Sequence, residues 1–172
     1  MMMEIKTIVV GPIETNCYLL TKNNNCVIID PGDEANKIKH FIGNNKLIGI
    51  IITHHHYDHV DALTDFNDIP IYDYHNLNEG SNNMDNFKFD IIHTLGHSDD
   101  SITIYFKDDK VMFTGDFLFN QTIGRTDLPG GSREMMLNSI EMIKEYDNEI
   151  IIYPGHGEST ILGHEKRYNP YF

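Results

Sequence analysis

Within the stretch Thr53-His54-His55-His56-Tyr57-Asp58-His59, His54, His56, Asp58 and His59 stand at positions i, i+2, i+4 and i+5. Imidazole nitrogen and carboxylate oxygen are donors that zinc, iron and manganese accept, so one loop carrying four of them can build halves of two adjacent ion sites. A lone histidine is usually structural, but a solvated turn has no need of so dense a set of donors, and the spacing points to metal. Three further donors lie downstream: His97 after Gly96, Asp116 after Gly115, and His156 between Gly155 and Gly157. Each ends an expected strand, where loops converge on one edge of a sheet. Glycine beside a donor lets the backbone pass close to an ion or adopt positive φ. Each of these pairs alone is a common loop dipeptide; in this order, behind the histidine loop, they read as one set.

The elements that must position these residues are legible from apolar periodicity. Strands are expected over 5–10, 17–20 and 26–29, the last two joined by a turn through Asn23, Asn24 and Asn25. Asp30-Pro31-Gly32 ends this meander. Residues 33–42 carry Ala35, Ile38, Phe41 and Ile42 at helical spacing, closed by Gly43. The β-branched run 47–53 fits a buried strand, and the histidines follow it directly. Further strands are expected near 69–72, 87–94, 101–106, 110–114 and 149–153, with a hairpin turn at Asp108-Asp109. Ser132 can cap a helix whose stripe runs through Met136, Ile140 and Ile143. Strands in runs punctuated by single helices imply an α/β architecture of two mixed sheets packed face to face with helices outside.

The chain resembles the metallo-β-lactamase superfamily, and within it the short glyoxalase II-like (hydroxyacylglutathione hydrolase-like) branch. The residues that carry this are His-x-His-x-Asp-His at 54–59, Gly96-His97, Gly115-Asp116 and Pro154-Gly155-His156-Gly157. Gly11-Pro12, Thr15-Asn16-Cys17-Tyr18, Asp30-Pro31-Gly32, Gly124-Arg125-Thr126-Asp127, Glu165 and Asn169-Pro170 add to them. The resemblance implies a four-layer αββα sandwich, one domain over residues 1–172, with two divalent metal ions at one sheet edge: zinc first, iron or manganese as alternatives. It implies His54, His56 and His97 on one ion, Asp58, His59 and His156 on the other, and Asp116 bridging them. Ions about 3.5–4 Å apart can share a hydroxide whose parent water has a pKa near about 7. Asp58 would be the catalytic residue, orienting that hydroxide and helping a proton reach the leaving group. The implied activity is hydrolysis of small thioesters. Iron-dependent persulfide dioxygenases are similar in the same His-x-His-x-Asp-His and Gly-Arg-Thr-Asp stretches; their single iron would correspond to His56 and His97, or a neighbouring pair, with Asp116. A non-catalytic metal-binding module is the third reading, disfavoured by the intact donor set. A β-lactamase is disfavoured because no cysteine stands in a ligand position.

Departures from the family pattern carry expectations of their own. Where the family often has Pro-Gly-His-Thr and a small-residue turn, this chain has Leu95-Gly96-His97-Ser98-Asp99-Asp100-Ser101, and Asp100 is expected to take left-handed backbone angles in place of glycine. The short interval from His59 to His97 suggests a trimmed loop and an open pocket. The chain ends at Phe172 without the helical domain that supplies glutathione contacts in full-length glyoxalase II, so little selectivity for glutathione is expected. Lys166, Arg167 and Tyr168 are candidates for anion contacts or a solvated helix face, and Arg125 and Asp127 for a loop-bracing ion pair. His40, His75, His93 and His164 fit no ligand spacing. His55 and Tyr57 should point away from the ions, Tyr57 being the better candidate to line the pocket.

Composition bounds the rest. The 172 residues suffice for one core without disulfides, and Cys17 and Cys26 read as buried, reduced thiols. A formal charge of -13 with no basic run argues against nucleic acid, and bound cations would offset part of that acidity. No apolar run approaches a membrane span and the first residues carry no signal-peptide pattern, so the expectation is a cytoplasmic protein acting on a small molecule, without membrane or nucleic-acid partners.

Overall fold

Alternation along the strands sorts the apolar side chains into three layers. The computed structural model describes residues 2–172. Strands β1 (Glu4–Val10), β2 (Thr15–Lys22) and β3 (Asn25–Ile29) are followed by helix α1 (Ala35–Ile42), strand β4 (Lys46–Ile51), a one-turn helix α2 (Tyr57–Val60) and β5 (Ile71–Tyr72). Then come β6 (Gly80–Met84), β7 (Phe87–His93), β8 (Ile102–Phe106), β9 (Val111–Gly115), a short hairpin β10 (Leu118–Phe119) and β11 (Thr122–Ile123), helix α3 (Arg133–Ile143), β12 (Ile151–Pro154), β13 (Thr160–Ile161) and helix α4 (Leu162–Tyr168). One sheet has the order β1-β2-β3-β4-β5, the other β13-β12-β9-β8-β7-β6. Both are mixed, with parallel pairing at β3–β4, β4–β5 and β9–β12.

Tyr18, Leu20, Val27, Ile29 and Ile51 of the first sheet pack against Ile91, Ile104 and Phe113 of the second, forming the central layer. Their neighbours Cys17, Leu19, Cys26, Ile28, Ile50 and Ile52 face the other way, onto Ile38 and Ile42 of α1. On the second sheet Ile92, Tyr105 and Met112 turn outward to Met136, Ile140 and Ile143 of α3. Helix, sheet, sheet, helix is therefore the layer order, the sandwich the sequence implies. Ser132 caps α3, its hydroxyl accepting Met135 N–H. Both cysteines are free and buried; burial pushes the Cys17 thiol well up and Cys26 to about 11, so both are inert.

Some boundaries differ from expectation for local reasons. Helix α1 starts at Ala35 rather than Asp33, because Glu34 sits at φ 51 and gives its N–H to the Asp33 carboxylate. Strand β12 starts at Ile151 because the Asp147 carboxylate accepts Glu149 N–H and holds it in a turn. Strand β6, Gly-Ser-Asn-Asn-Met, has little strand propensity and exists as an edge paired with β7. At one end the two sheets are joined by backbone hydrogen bonds: Ile102 N–H to Thr53 C=O at 2.9 Å and Asn16 N–H to Gly155 C=O at 2.7 Å. The donor residues cluster at that joined end. No helix among the described residues is long and apolar enough to cross a membrane.

Candidate metal centre

Four loops at the joined end carry the seven residues. His54, His56, Asp58 and His59 leave the end of β4, the last two in the first turn of α2; His97 follows β7, Asp116 follows β9 and His156 follows β12. The structure brings all seven together. In one group, Nε2 of His54 lies 3.1 Å and Nε2 of His97 2.9 Å from Nδ1 of His56. In the other, Oδ2 of Asp58 lies 3.3 Å from His59 Nε2 and 3.2 Å from His156 Nε2. Donor atoms within each group are all within 4.8 Å of one another. Asp116 stands between the groups, with Oδ1 3.3 Å from His59 Nε2 and Oδ2 3.6 Å from His97 Nε2 and 3.5 Å from His156 Nε2.

The outward nitrogens of four of these rings are fixed by hydrogen bonds, which sets their tautomers. Thr53 gives its N–H (2.8 Å) and its hydroxyl (2.6 Å) to the Asp30 carboxylate, leaving its oxygen to accept Nδ1–H of His54 at 3.1 Å. His59 donates Nδ1–H to Asp30 Oδ2 at 2.8 Å, His97 to the Arg125 carbonyl at 2.8 Å, and His156 to the Ile13 carbonyl at 3.1 Å. With Nδ1 the donor, each neutral ring turns its Nε2 lone pair toward the centre, the arrangement of a metal-ligating histidine. Thr15 orients Asp58 through a 2.8 Å bond from its hydroxyl to Oδ2.

These residues fit divalent ions on three observations. His59 Nε2 and Asp116 Oδ1 are buried and lack any hydrogen-bond partner among the described residues, a costly arrangement unless a cation lies between such atoms. A Cβ at position 155 would stand 2.2 Å from Asp116 Oδ1 and 2.8 Å from His59 Cε1, so only glycine lets the chain pass the cluster. The donors are nitrogen and oxygen, suited to zinc, iron or manganese.

Electrostatics divide the centre. Burial, reinforced by the neighbouring imidazoles, holds His54 well below and His56 below the ordinary histidine pKa, which favours the neutral form of both rings. In the other group burial acts in the same sense but is outweighed. The carboxylates of Asp30, Asp116 and Asp58 around it push His59 well up, and Asp116 and Asp58 raise His156 to about 10. Conversely, burial would raise Asp58 and Asp116, yet the His156 and His59 rings beside them hold both far below the carboxylate range. Without an ion, the second group uses protons as counter-cations.

The remaining expectations resolve as follows. His55 turns away from the donors to Asp100 and Asp73, and Tyr57 is 68% exposed. Asp100 does not take left-handed angles; its carboxylate instead accepts hydrogen bonds from His55 and Ser98. Lys166 is not free to meet an anion, because its ammonium is held by Tyr146 C=O and Asn148 Oδ1. Arg125 and Asp127 form a bidentate pair at 2.7 and 2.8 Å, both exposed. His40, His75, His93 and His164 lie outside the donor groups. Sequence reasoning missed Asp30, Thr15 and Thr53 as orienting residues. The available signal was their placement in the Asp30-Pro31-Gly32 and Thr15-Asn16 motifs and directly before His54.

Comparisons with known proteins identify the family and the fold. The family model described as metallo-beta-lactamase superfamily matches residues 10–73 and 67–156. A probable metallo-hydrolase YqgX of Bacillus subtilis is 34% identical over 94% of each chain, and hydroxyacylglutathione hydrolase GloC of Haemophilus influenzae is 32% identical over 98% of each. Among solved structures, BLEG-1, titled a B3 metallo-beta-lactamase, matches with TM-score 0.90 at 33% identity over 98% of this chain and 99% of that one. TTHA1623 in a di-iron-bound form matches with TM-score 0.89 at 29% identity over 98% and 100%. ETHE1 from Myxococcus xanthus matches with TM-score 0.88 at 25% identity over 97% and 83%.

Proposed function

The chain belongs to the metallo-beta-lactamase superfamily, and from that premise we propose that it is a two-ion, metal-dependent hydrolase of small thioesters. One ion would be held by His54, His56 and His97 and the second by Asp58, His59 and His156, with Asp116 placed between the two groups. The observation that carries this reading is the convergence of those seven donors around two buried, unpartnered atoms. The likeness to GloC over nearly the whole of both chains supports the thioester class. The di-iron form of TTHA1623 supports two ions and keeps iron beside zinc.

Bound ions there would polarise a carbonyl and bring a water's pKa toward about 7. The chain's own contribution is positional. Asp58, oriented by Thr15, would orient the attacking water and help a proton reach the departing thiolate. His54, His59, His97 and His156, with Nδ1 bonded outward, offer Nε2 lone pairs to the centre, and His56 offers Nδ1. His54 and His59 are buried, while His56 and His156 are partly exposed, so one ring of each group faces the open side of the centre.

The test is catalytic efficiency across acyl-matched thioesters differing only in the thiol, glutathione and cysteamine included, with a β-lactam arm because of the likeness to BLEG-1. Turnover of several thioesters is the expected result. Turnover of β-lactams alone, or of nothing in the panel by metal-loaded protein, overturns the reading. A second reading, an iron-dependent persulfide dioxygenase, is supported by the likeness to ETHE1. Oxygen uptake on glutathione persulfide without thioester turnover would establish it in place of the first.

A further inference from the structure

Beside the donor cluster lies a second set of histidine and carboxylate side chains that contributes none of the donors. The Asp100 Oδ2 atom accepts from His55 twice, from its backbone N–H at 3.1 Å and from Nδ1–H at 2.6 Å. The other oxygen, Oδ1, accepts the Ser98 hydroxyl at 2.8 Å. On its far side His55 presents Nε2 to Asp73 Oδ2 at 3.3 Å, while Asp73 Oδ1 accepts His75 N–H at 2.8 Å. These contacts run across three loops: the one after β4, the one between β7 and β8, and the one after β5.

Two of those loops supply the all-imidazole donor group. His55 lies between His54 and His56, and Asp100 and Ser98 share a turn with His97. His56 is the one ring of the five whose outward nitrogen has no bond of the kind that fixes the others, so its position depends on the backbone at 55 and 57. The direct link between the His56 and His97 loops on this side is the Asp100 carboxylate, which is half-buried. The group of Asp58, His59 and His156 is fixed through Asp30, Thr15 and the Ile13 carbonyl, without Asp100 or His55; Asp30 also reaches His54 through Thr53.

We propose that Asp100 and His55 are positioning residues: a clamp between two loops that sets the spacing of His54 and His56 against His97, and thereby the affinity of that group for its ion while leaving the other group's affinity unchanged. This rests on the two-group reading of the centre but not on the identity of the substrate, and it is read from ion binding without any turnover. Outer partners of metal ligands typically change affinity by about 10–100-fold when removed.

The experiment is Co2+ titration of chelator-stripped full chain, followed by visible absorption, in two backgrounds. His156→Ala leaves the all-imidazole group intact, and His56→Ala leaves the other. Asp100→Ala should weaken Co2+ binding about tenfold or more in the first background and less than about twofold in the second. Asp100→Asn, which keeps an acceptor for His55, should restore most of the loss. His55→Phe should reproduce the Asp100→Ala effect, and the double variant should be no worse than either single one. If Asp100→Ala does not fold, His55→Phe tests the same link from the other side. Unchanged affinity in the first background overturns the proposal. Equal weakening in both backgrounds, with a matching fall in the melting temperature of the metal-free protein, overturns it too, since that marks a general loop defect. Wild-type protein that binds two ions but hydrolyses no thioester would remove the substrate reading and leave the clamp to stand or fall on these titrations.

Discussion

The group of His54, His56 and His97 holds three imidazoles and no carboxylate of its own, whereas the group of Asp58, His59 and His156 is built on carboxylates within it and behind it. Both sit at the same joined edge of the sandwich, yet the pKa shifts of their rings run in opposite directions. Burial lowers His54 and His56, while Asp30, Asp58 and Asp116 raise His59 and His156 when no ion is present. One fold edge thus offers a group with two rings shifted toward the neutral form beside one that must exchange protons for metal. The shared Asp116 is what couples them.

The comparison can be broken most severely at Asp58. Asp58→Ala removes a donor from the carboxylate-bearing group and the residue that would orient the attacking water, and should lower kcat by about 10²–10⁴-fold with the far-UV circular dichroism spectrum unchanged. Near wild-type turnover on the best thioester would show that this group does not carry the chemistry. Next in size is Asp30→Asn. It leaves Thr53 and His59 with a weaker acceptor, and ion affinity at the carboxylate-bearing group should fall about 10–100-fold, measured by competition with a chromogenic chelator. A loss confined to the all-imidazole group would reverse the assignment of Asp30.

A smaller effect sharpens the contrast through pH. A raised pKa means the protonated form dominates below it, so His156, with a value of about 10, and His59, also raised, must each release a proton for an ion to enter. Affinity at that group should climb as pH rises from about 6.5 toward 10, by up to about tenfold per pH unit for each proton displaced. The all-imidazole group, in which His54 and His56 are lowered, should show a flatter profile over the same window. The single-group variants His156→Ala and His56→Ala allow the two slopes to be measured apart, and equal slopes would mean that the electrostatic division is absent.

How much of this could be read in the sequence follows from distance along the chain. The four donors at His54 to His59 are local, and their spacing alone identifies them. His97, Asp116 and His156 come from three separate loops and were legible only through flanking glycines and through the family pattern. The strand alternation that builds the three apolar layers is local too, which is why the sandwich was readable. Asp30 was not readable as the partner of His59, because 29 residues and a parallel strand pairing separate them. Asp100 was misread for the same reason. Its sequence neighbours suggest a turn residue, and only the fold brings His55 to its carboxylate. Strand β6 escaped notice because its polar residues form a strand through pairing with β7 and not through their own preference.

The claim that two distinct donor groups each hold an ion is tested most directly by elemental analysis of metal per chain after loading with excess Zn2+ and removal of unbound ion. Two ions per chain are expected for the wild type. A value that stays at one under saturating metal would contradict the two-group centre and leave a single site around Asp116.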